Sequence, residues 1–431
     1  MTGQGTRTMR LSEPKGLLIG GIAAGLAGVM VDLLSPIYAS SLHEGFGLSN
    51  TAAGFLVTAA LGAMGVVELG LAHSIGQRNL RRTATYGVVI ASLALIYISQ
   101  VSDNGFWSLL VGMVALGAGC GLTFVAGNAA LSYARNSERA FSLLTFWYMI
   151  FVFVMMSTNP YLRRLYPIVL PYAAMVAVQL ICLALIWWKL PDTRIIAAER
   201  AAAEHAAEEA DPDLAAELRR DAPALKMFSL LPILLSLAVT FSQLATAGLW
   251  TFAQELGTAA GLSAELTASF LGFSQLIGLL GTMAPWLLGR WVSRAVLGAA
   301  GLFLSACGVL VVPMVHTPTA YIAGNLVINL GYWVTLPLAL SIAADLDRNS
   351  GRLVAFMLGM SAIGLALGPS LAGPLLGGED TTLGGWVFGI IGFISVPLIV
   401  LPALAAERAV RARRDEQARE LEMGVPPQAI T

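Results

Sequence analysis

Charge is what this sequence has least of. Only 12% of its 431 residues are Asp, Glu, Lys or Arg, against roughly 25% in a soluble globular domain, which excludes a string of ordinary soluble domains. An excess of one sign is missing too: 25 Lys and Arg face 26 Asp and Glu, a net charge of −1, so nothing points to nucleic acid. The three cysteines, Cys120, Cys182 and Cys307, are odd in number, far apart and set in apolar runs. They suggest neither a disulfide framework nor a metal cluster, and the four histidines lack companions at metal-ligand spacing. No G-x-x-x-x-G-K-[ST] string is present to cradle ATP. No nucleophile–base pair stands out either, so neither an enzyme nor a cofactor is expected.

What is abundant is apolar: 57% of the chain is hydrophobic. Long runs cover about 16–38, 51–72, 84–101, 106–133, 140–160 and 166–190, and again about 228–254, 264–289, 295–315, 319–344, 353–376 and 384–406. Each is near the ~20 residues that a helix needs to cross a ~30 Å hydrocarbon core. Lipid offers the backbone no hydrogen bonds, so such runs must be helices. An all-α membrane protein follows, with twelve transmembrane helices in two sets of six. The first run comes after Arg7, Arg10 and Lys15, as in a signal peptide. Its 23 residues exceed the usual 7–15 of such a segment, and it is expected to be retained.

Lys and Arg near helix ends stay on the cytoplasmic side. With the N-terminus inside, Arg78, Arg81, Arg82, Arg135, Arg139, Lys189, Arg290, Arg294, Arg348, Arg352, Arg408 and Arg411 all fall inside, and only Arg163 and Arg164 fall outside. The outer loops carry acids such as Glu44, Asp103, Glu255, Glu379 and Asp380. Both termini are therefore expected in the cytoplasm. The expected organisation is an N-terminal segment 1–15, a six-helix bundle 16–190, a linker 191–226, a second bundle 227–406 and a charged, mobile tail 407–431. The linker holds five basic and nine acidic residues and reads as a solvated tether, or as a regulatory element.

Arg135-Asn136-Ser137-Glu138-Arg139 after the fourth run matches Arg348-Asn349-Ser350-Gly351-Arg352 after the tenth, 213 positions on; Arg78 and Arg294 stand 216 apart. The two sets are parallel repeats, one of the plans of secondary transporters. Here the chain resembles the major facilitator superfamily over about residues 10–410. The family's loop between helices 2 and 3 reads G-x-x-x-D-R-x-G-R-R; residues 73–82 keep Arg78, Arg81 and Arg82 but carry His73, Gln77 and Leu80 in place of its Gly, Asp and second Gly. Gly289-Arg290-Trp291-Val292-Ser293-Arg294 is the second-half copy, with Ser293 where the Asp would be. The resemblance implies a cytoplasmic gate. With its loop Asp missing, that gate is expected to use Arg78, Arg139, Arg294 and Arg352 with Glu68, Glu138 and Asp345. The marks of the drug-antiporter branch are displaced: the fourth run has no basic residue, and a Gly-Pro stretch lies at Gly368-Pro369 and Gly373-Pro374 in the eleventh.

An ionisable group in hydrocarbon is a functional candidate by default. Asp32 shares a face of the first run with Gly21, Gly25 and Gly28 and is the leading candidate for proton coupling, the alternative being a structural acid between packed helices. Glu68 follows as a second proton carrier or a gate partner of an Arg. The family places helices 1, 4, 7 and 10 around the cavity. The resemblance therefore offers Asn128, Gln243, Gln275, Asn325 and Asn329 as hydrogen-bonding contacts for substrate, with Tyr148, Trp250 and Tyr332 as flat walls. Interhelical glue and packing are the alternatives. No Lys or Arg lies deep in a run, which argues against phosphate, sulfonate or dicarboxylate substrates. The expected protein is a monomeric, multi-pass, proton-coupled transporter of a small, partly apolar organic compound in a bacterial cytoplasmic membrane, with export favoured. Proton-symporting uptake, or a non-transporting sensor or assembly factor, are the alternatives.

Overall fold

A computed structural model describes residues 16–72, 74–75, 78–101, 105–132, 137–191, 229–289, 291–346, 352–378 and 380–422. The linker beyond Pro191, the loop positions His73, Gln77, Asp103 and Arg348, and the side chains of Glu138, Arg139 and Arg352 lie outside the described residues. The chain is all helix where described: α1 (Leu17–Gly28), α2 (Met30–Leu33), α3 (Ser35–Ser40), a π-turn (Ser41–Gly45), α4 (Asn50–Ala72), α5 (Leu80–Ser99), α6 (Phe106–Ser132), α7 (Ser137–Leu165), α8 (Val169–Lys189), α9 (Leu230–Thr251), α10 (Ala253–Ala259), α11 (Ala264–Leu288), α12 (Arg294–Met314), α13 (Pro318–Leu346), α14 (Arg352–Leu376) and α15 (Thr382–Glu422). Eleven of these are long and apolar enough to cross a membrane. The first predicted span is the exception.

That span is not one helix but three short pieces and a π-turn, with interruptions at Val29 and Leu34. Pro36, in the first turn of α3, has no N–H to give to the carbonyl of Asp32, and its ring disfavours a continuous helix through it. The Leu34 N–H closes the last turn of α2 on the Met30 carbonyl at 3.1 Å. Leu33 turns its carbonyl to another helix, where it accepts from Trp250 Nε1 at 3.3 Å. The last span departs the other way: α15 continues through Glu422, where a charged tail was expected from 407. Glu407 fixes the start of this extension by accepting the Arg294 N–H at the head of α12, 2.5 Å away. The Ala, Arg and Glu that follow are strong helix formers.

Loop polar residues set several helix starts. Asn79, Ser263 and Ser293 accept the N–H of Arg82, Leu266 and Val296 at 3.1–3.2 Å, as N-caps do. Within each set, helices approach until backbones touch. A Cβ at Gly28 would stand 2.3 Å from the Phe124 N on α6, and one at Gly117 would stand 1.9 Å from the Ala60 carbonyl on α4. Small residues permit such packing where lipid supplies no hydrophobic drive. The first set packs α1 and α4 on α6, and α5 on α6 and α8; the second packs α9 on α14 and α15, and α12 on α13 and α15. The sets meet along α4–α14 and α7–α11.

Candidate functional site: a polar centre beneath a closed upper gate

The end of the bundle that carries Glu44, Arg163 and Glu265 is called upper below, and the end that carries Arg78, Arg294 and Asp345 lower. In the upper half the two sets are joined by a series of hydrogen bonds. Thr251 Oγ1 donates to Ser35 Oγ at 3.3 Å, Ser40 Oγ to Gln254 Oε1 at 3.3 Å, Asn50 Nδ2 to the Gly377 carbonyl at 2.8 Å, and the Ser370 N–H to Thr58 Oγ1 at 2.9 Å. Ser35 and Thr251 stand 216 positions apart, the same offset as Arg78 and Arg294. That shared offset matches the repeat read from the sequence. The breaks at Leu34 and at Phe252, between α9 and α10, lie beside this Ser35–Thr251 contact.

Arg163 and Arg164, the two exceptions to the charge rule, belong to this closure. Arg163 Nη2 pairs with Glu44 at 2.7 Å, and its Nη1 donates to Ser40 Oγ at 3.3 Å. Arg164 pairs with Glu265 of the other set at 2.5 Å. Their breach of the inside-positive pattern was the signal in the sequence that could have marked an upper gate. Ser40, Gln254 and Glu255 carried no comparable signal.

Below the gate lies Asp32, on the four-residue α2 between the two breaks. No described side chain gives it a hydrogen bond or a counter-charge. Glu68 of α4 lies within electrostatic reach of Asp32, and both carboxyls reach Tyr148 of α7. Asp32 also lies within electrostatic reach of Tyr332 of α13, whose hydroxyl is close to Gln243 of α9. Gln243 and Tyr332 line a cavity of about 10 Å³ with Val239, Ser242, Thr335 and Leu336, room for about one water. Among the described residues, no Lys or Arg is within electrostatic reach of Asp32, Glu68, Tyr148 or Tyr332. The buried Tyr148 hydroxyl has no hydrogen-bond partner and sits beside Gly25. Trp250 reaches this centre from above through its bond to Leu33.

The remaining candidates spread outward. Asn128 is half-buried and donates to the Phe124 carbonyl at 3.0 Å. Asn325 and Asn329 are buried and donate to the Tyr321 and Asn325 carbonyls one turn back, at 2.9 and 3.0 Å, and Asn329 also donates to Ser274 of α11 at 3.3 Å. Gln275 is buried on α11. At the lower end Arg294 pairs with Asp345, a contact between α12 and α13 of one set rather than across the sets. Arg78 Nε donates to Ser74 Oγ at 3.3 Å. A cavity of about 420 Å³ lies beside Arg294, Glu407 and Arg411. None of the candidate substrate residues lines it.

Among the described residues no group of three or more His, Cys, Asp or Glu could hold a metal ion. The geometry fits solved transporters of this plan. A proton-dependent oligopeptide transporter superposes with a TM-score of 0.62 at 14% identity over 92% of this chain and 99% of its own. A peptide transporter solved with alafosfalin gives 0.66 at 16% identity over 93% and 96%, and a D-xylose–proton symporter 0.65 at 16% over 88% and 94%. At such identities the likeness is one of fold. The uncharacterized transporter y4wD of Sinorhizobium fredii (strain NBRC 101917 / NGR234) is 28% identical over 141 residues, 32% of this chain and 37% of that protein, so the match spans little more than a third of the relative's length. The family model of the Major Facilitator Superfamily matches residues 20–369, most of the chain, and the chain belongs to that superfamily.

Proposed function

We propose that the protein is a proton-coupled secondary transporter of a small, partly apolar organic compound, working by alternating access, with Asp32 as the coupling residue and Glu68 as its auxiliary. The observation that carries this reading is the placement of Asp32. It is a carboxyl without a partner, on a helix broken to either side of it, at the meeting of the two sets. Interrupted helices expose backbone polar groups at the midplane of many transporters, and an unpaired acid there can exchange protons with whichever side it faces. The substrate is neutral or cationic. A carboxylate-bearing compound would need a positive partner, and the described surroundings of Asp32 supply none. Gln243, Asn128, Tyr332, Tyr148 and Trp250 are the groups best placed to touch it, with Asn325, Asn329 and Gln275 supporting them from α13 and α11.

The proposal includes twelve spans, with α1–α3 as the first, both termini in the cytoplasm, bundles at 16–190 and 227–406, and the 191–226 linker on the cytoplasmic side. The upper end is then outer, and the molecule stands with its outer gate closed. Single cysteines at Arg78 and Asp103, in a protein lacking Cys120, Cys182 and Cys307, are expected to label from opposite faces of the membrane. Equal labelling of both from outside overturns the topology.

A thermal-shift screen identifies a ligand, since binding to the native state alone raises its stability. Flux in proteoliposomes then tests the mechanism. An imposed pH gradient is expected to drive substrate against its own gradient, and a protonophore to collapse it; flux indifferent to pH defeats the coupling. For Gln243→Ala, loss of one buried hydrogen bond is expected to weaken binding by about 1–2 kcal/mol, read by isothermal titration, with expression unchanged. An unaltered affinity makes the Gln243–Tyr332 pair interhelical glue.

A further inference from the structure

Glu255 stands on α10, beyond the end of the apolar span Leu230–Thr251. The residue is partly accessible, yet both of its carboxylate oxygens are shielded from solvent and neither has a hydrogen-bond partner. A carboxylate withdrawn from water in this way takes a proton unless a counter-charge replaces its hydration. The cation within electrostatic reach is Arg163, on α7 of the other set, and Glu44 of the π-turn is a second acid in reach. Arg163 is engaged by Glu44, at 2.7 Å, and by Ser40. One guanidinium therefore faces two carboxylates, and Glu44 has it. From α13, Tyr321 faces Glu255 but gives its hydroxyl to the Ala253 carbonyl at 2.7 Å. From α11, Thr267 packs against the next turn at Gly257, while Glu265 of that helix is held by Arg164. The neighbouring Gln254 is taken by Ser40 of α3. Among the described residues of these helices, no cation is left free to pair with Glu255.

We propose that Glu255 is a proton-binding site of the upper gate, filled when the two sets close over it and emptied when they part. On closure one carboxylate oxygen takes a proton from a hydronium ion or buffer acid on that side, which is left as water or the buffer's base; on opening the rehydrated carboxylate returns the proton to the same side. Burial pushes the carboxyl up from its ordinary 4.5 to about 8, with a smaller push from Glu44 and an opposing pull from Arg163. Protonation therefore favours closure fully below about 4.5, and the advantage is lost as pH rises through about 8. Between those limits one proton is linked to closure, and the closed-to-open ratio changes by up to about tenfold per pH unit. This site is separate from Asp32, and its occupancy does not depend on which substrate moves.

Spin labels at Ser49 and Ala264, on the upper ends of α4 and α11 in a background without the native cysteines, report the gap by double electron–electron resonance in micelles at pH 6 to 9. The closed population is expected to fall as pH rises in the otherwise native protein. Glu255→Gln, a stand-in for the protonated acid, is expected to stay closed throughout. Glu44→Gln, at an exposed position, frees Arg163 to neutralise Glu255 and is expected to move the midpoint to lower pH. A Glu255→Gln protein that keeps the native pH response, or is open at every pH, overturns the proposal. If that variant does not fold, Glu44→Gln decides alone, and an unmoved midpoint overturns it.

Discussion

Asp32→Asn is expected to leave a folded protein that binds and exchanges substrate but no longer accumulates it. Asn keeps the size and the hydrogen-bonding atoms of Asp and removes the titration. Asp32 has no cationic partner among the described residues, so its replacement orphans no buried charge. The stability cost should therefore stay within the ~1 kcal/mol typical of point substitutions. Coupling is another matter. With one proton exchanged per cycle, a gradient of one pH unit is worth about 1.4 kcal/mol, or about a tenfold concentration ratio. In the variant that ratio is expected to fall to one, while counterflow of labelled substrate between equal pools continues. The measurement is paired accumulation and counterflow in the same proteoliposomes. Retained accumulation under an imposed pH gradient would make Asp32 structural and move the coupling role to Glu68, which shares its electrostatic environment.

Gly54→Leu is expected to stop turnover with little loss of protein. Gly54 lies on α4 where that helix meets α14, and a Cβ there would stand 2.3 Å from the Pro369 carbonyl and 3.3 Å from Phe252. The first of these is backbone and cannot swing aside, so the two sets must part. Overpacking costs about 1–3 kcal/mol, a factor of roughly 5 to 150 against the closed gate. The helices within each set keep their own contacts, and abundance should be close to native. Gly117→Leu is the control. Its side chain would be driven into the Ala60 carbonyl inside the first set, where no rocking motion can relieve the clash, and a large loss of folded protein is expected. Size-exclusion yield and the Ser49–Ala264 distance separate the two cases. If Gly54→Leu is as poorly folded as Gly117→Leu, the α4–α14 seam is part of the folding core and does not open as a gate.

The predicted chemistry was legible in proportion to how local it is. Asp32 could be found because a carboxylate in an apolar run is conspicuous, and the repeat could be found because Arg135–Arg139 and Arg348–Arg352 have nearly the same residues. Asn325 and Asn329 show the opposite. The family resemblance offered them as substrate contacts; in the structure each donates its amide to the preceding turn of its own helix, and Asn329 also to Ser274. An amide on a helix face looks alike in sequence whether it faces ligand, backbone or a neighbouring helix. Glu255 went unnoticed for a related reason. At the end of an apolar run it reads as one more loop acid, until the fold buries its oxygens and assigns the nearby Arg163 to Glu44.

The sequence by itself determined the all-α, multi-span membrane class and the approximate limits of eleven of the apolar segments. Those properties follow from hydrophobic run length and from the rule that a backbone in lipid must satisfy its own hydrogen bonds. The tertiary structure alone decided that the first span is broken around Asp32, that Ser35 meets Thr251, that the upper end is closed and that Arg163 goes to Glu44 rather than to Glu255. Each of these is a relation between residues about 90 or more positions apart, or a break whose freed carbonyl finds its partner on another helix. Periodicity along a chain records which face of a helix is apolar. It does not record which distant polar group that face will meet, because that choice depends on how closely the glycine-lined backbones can approach.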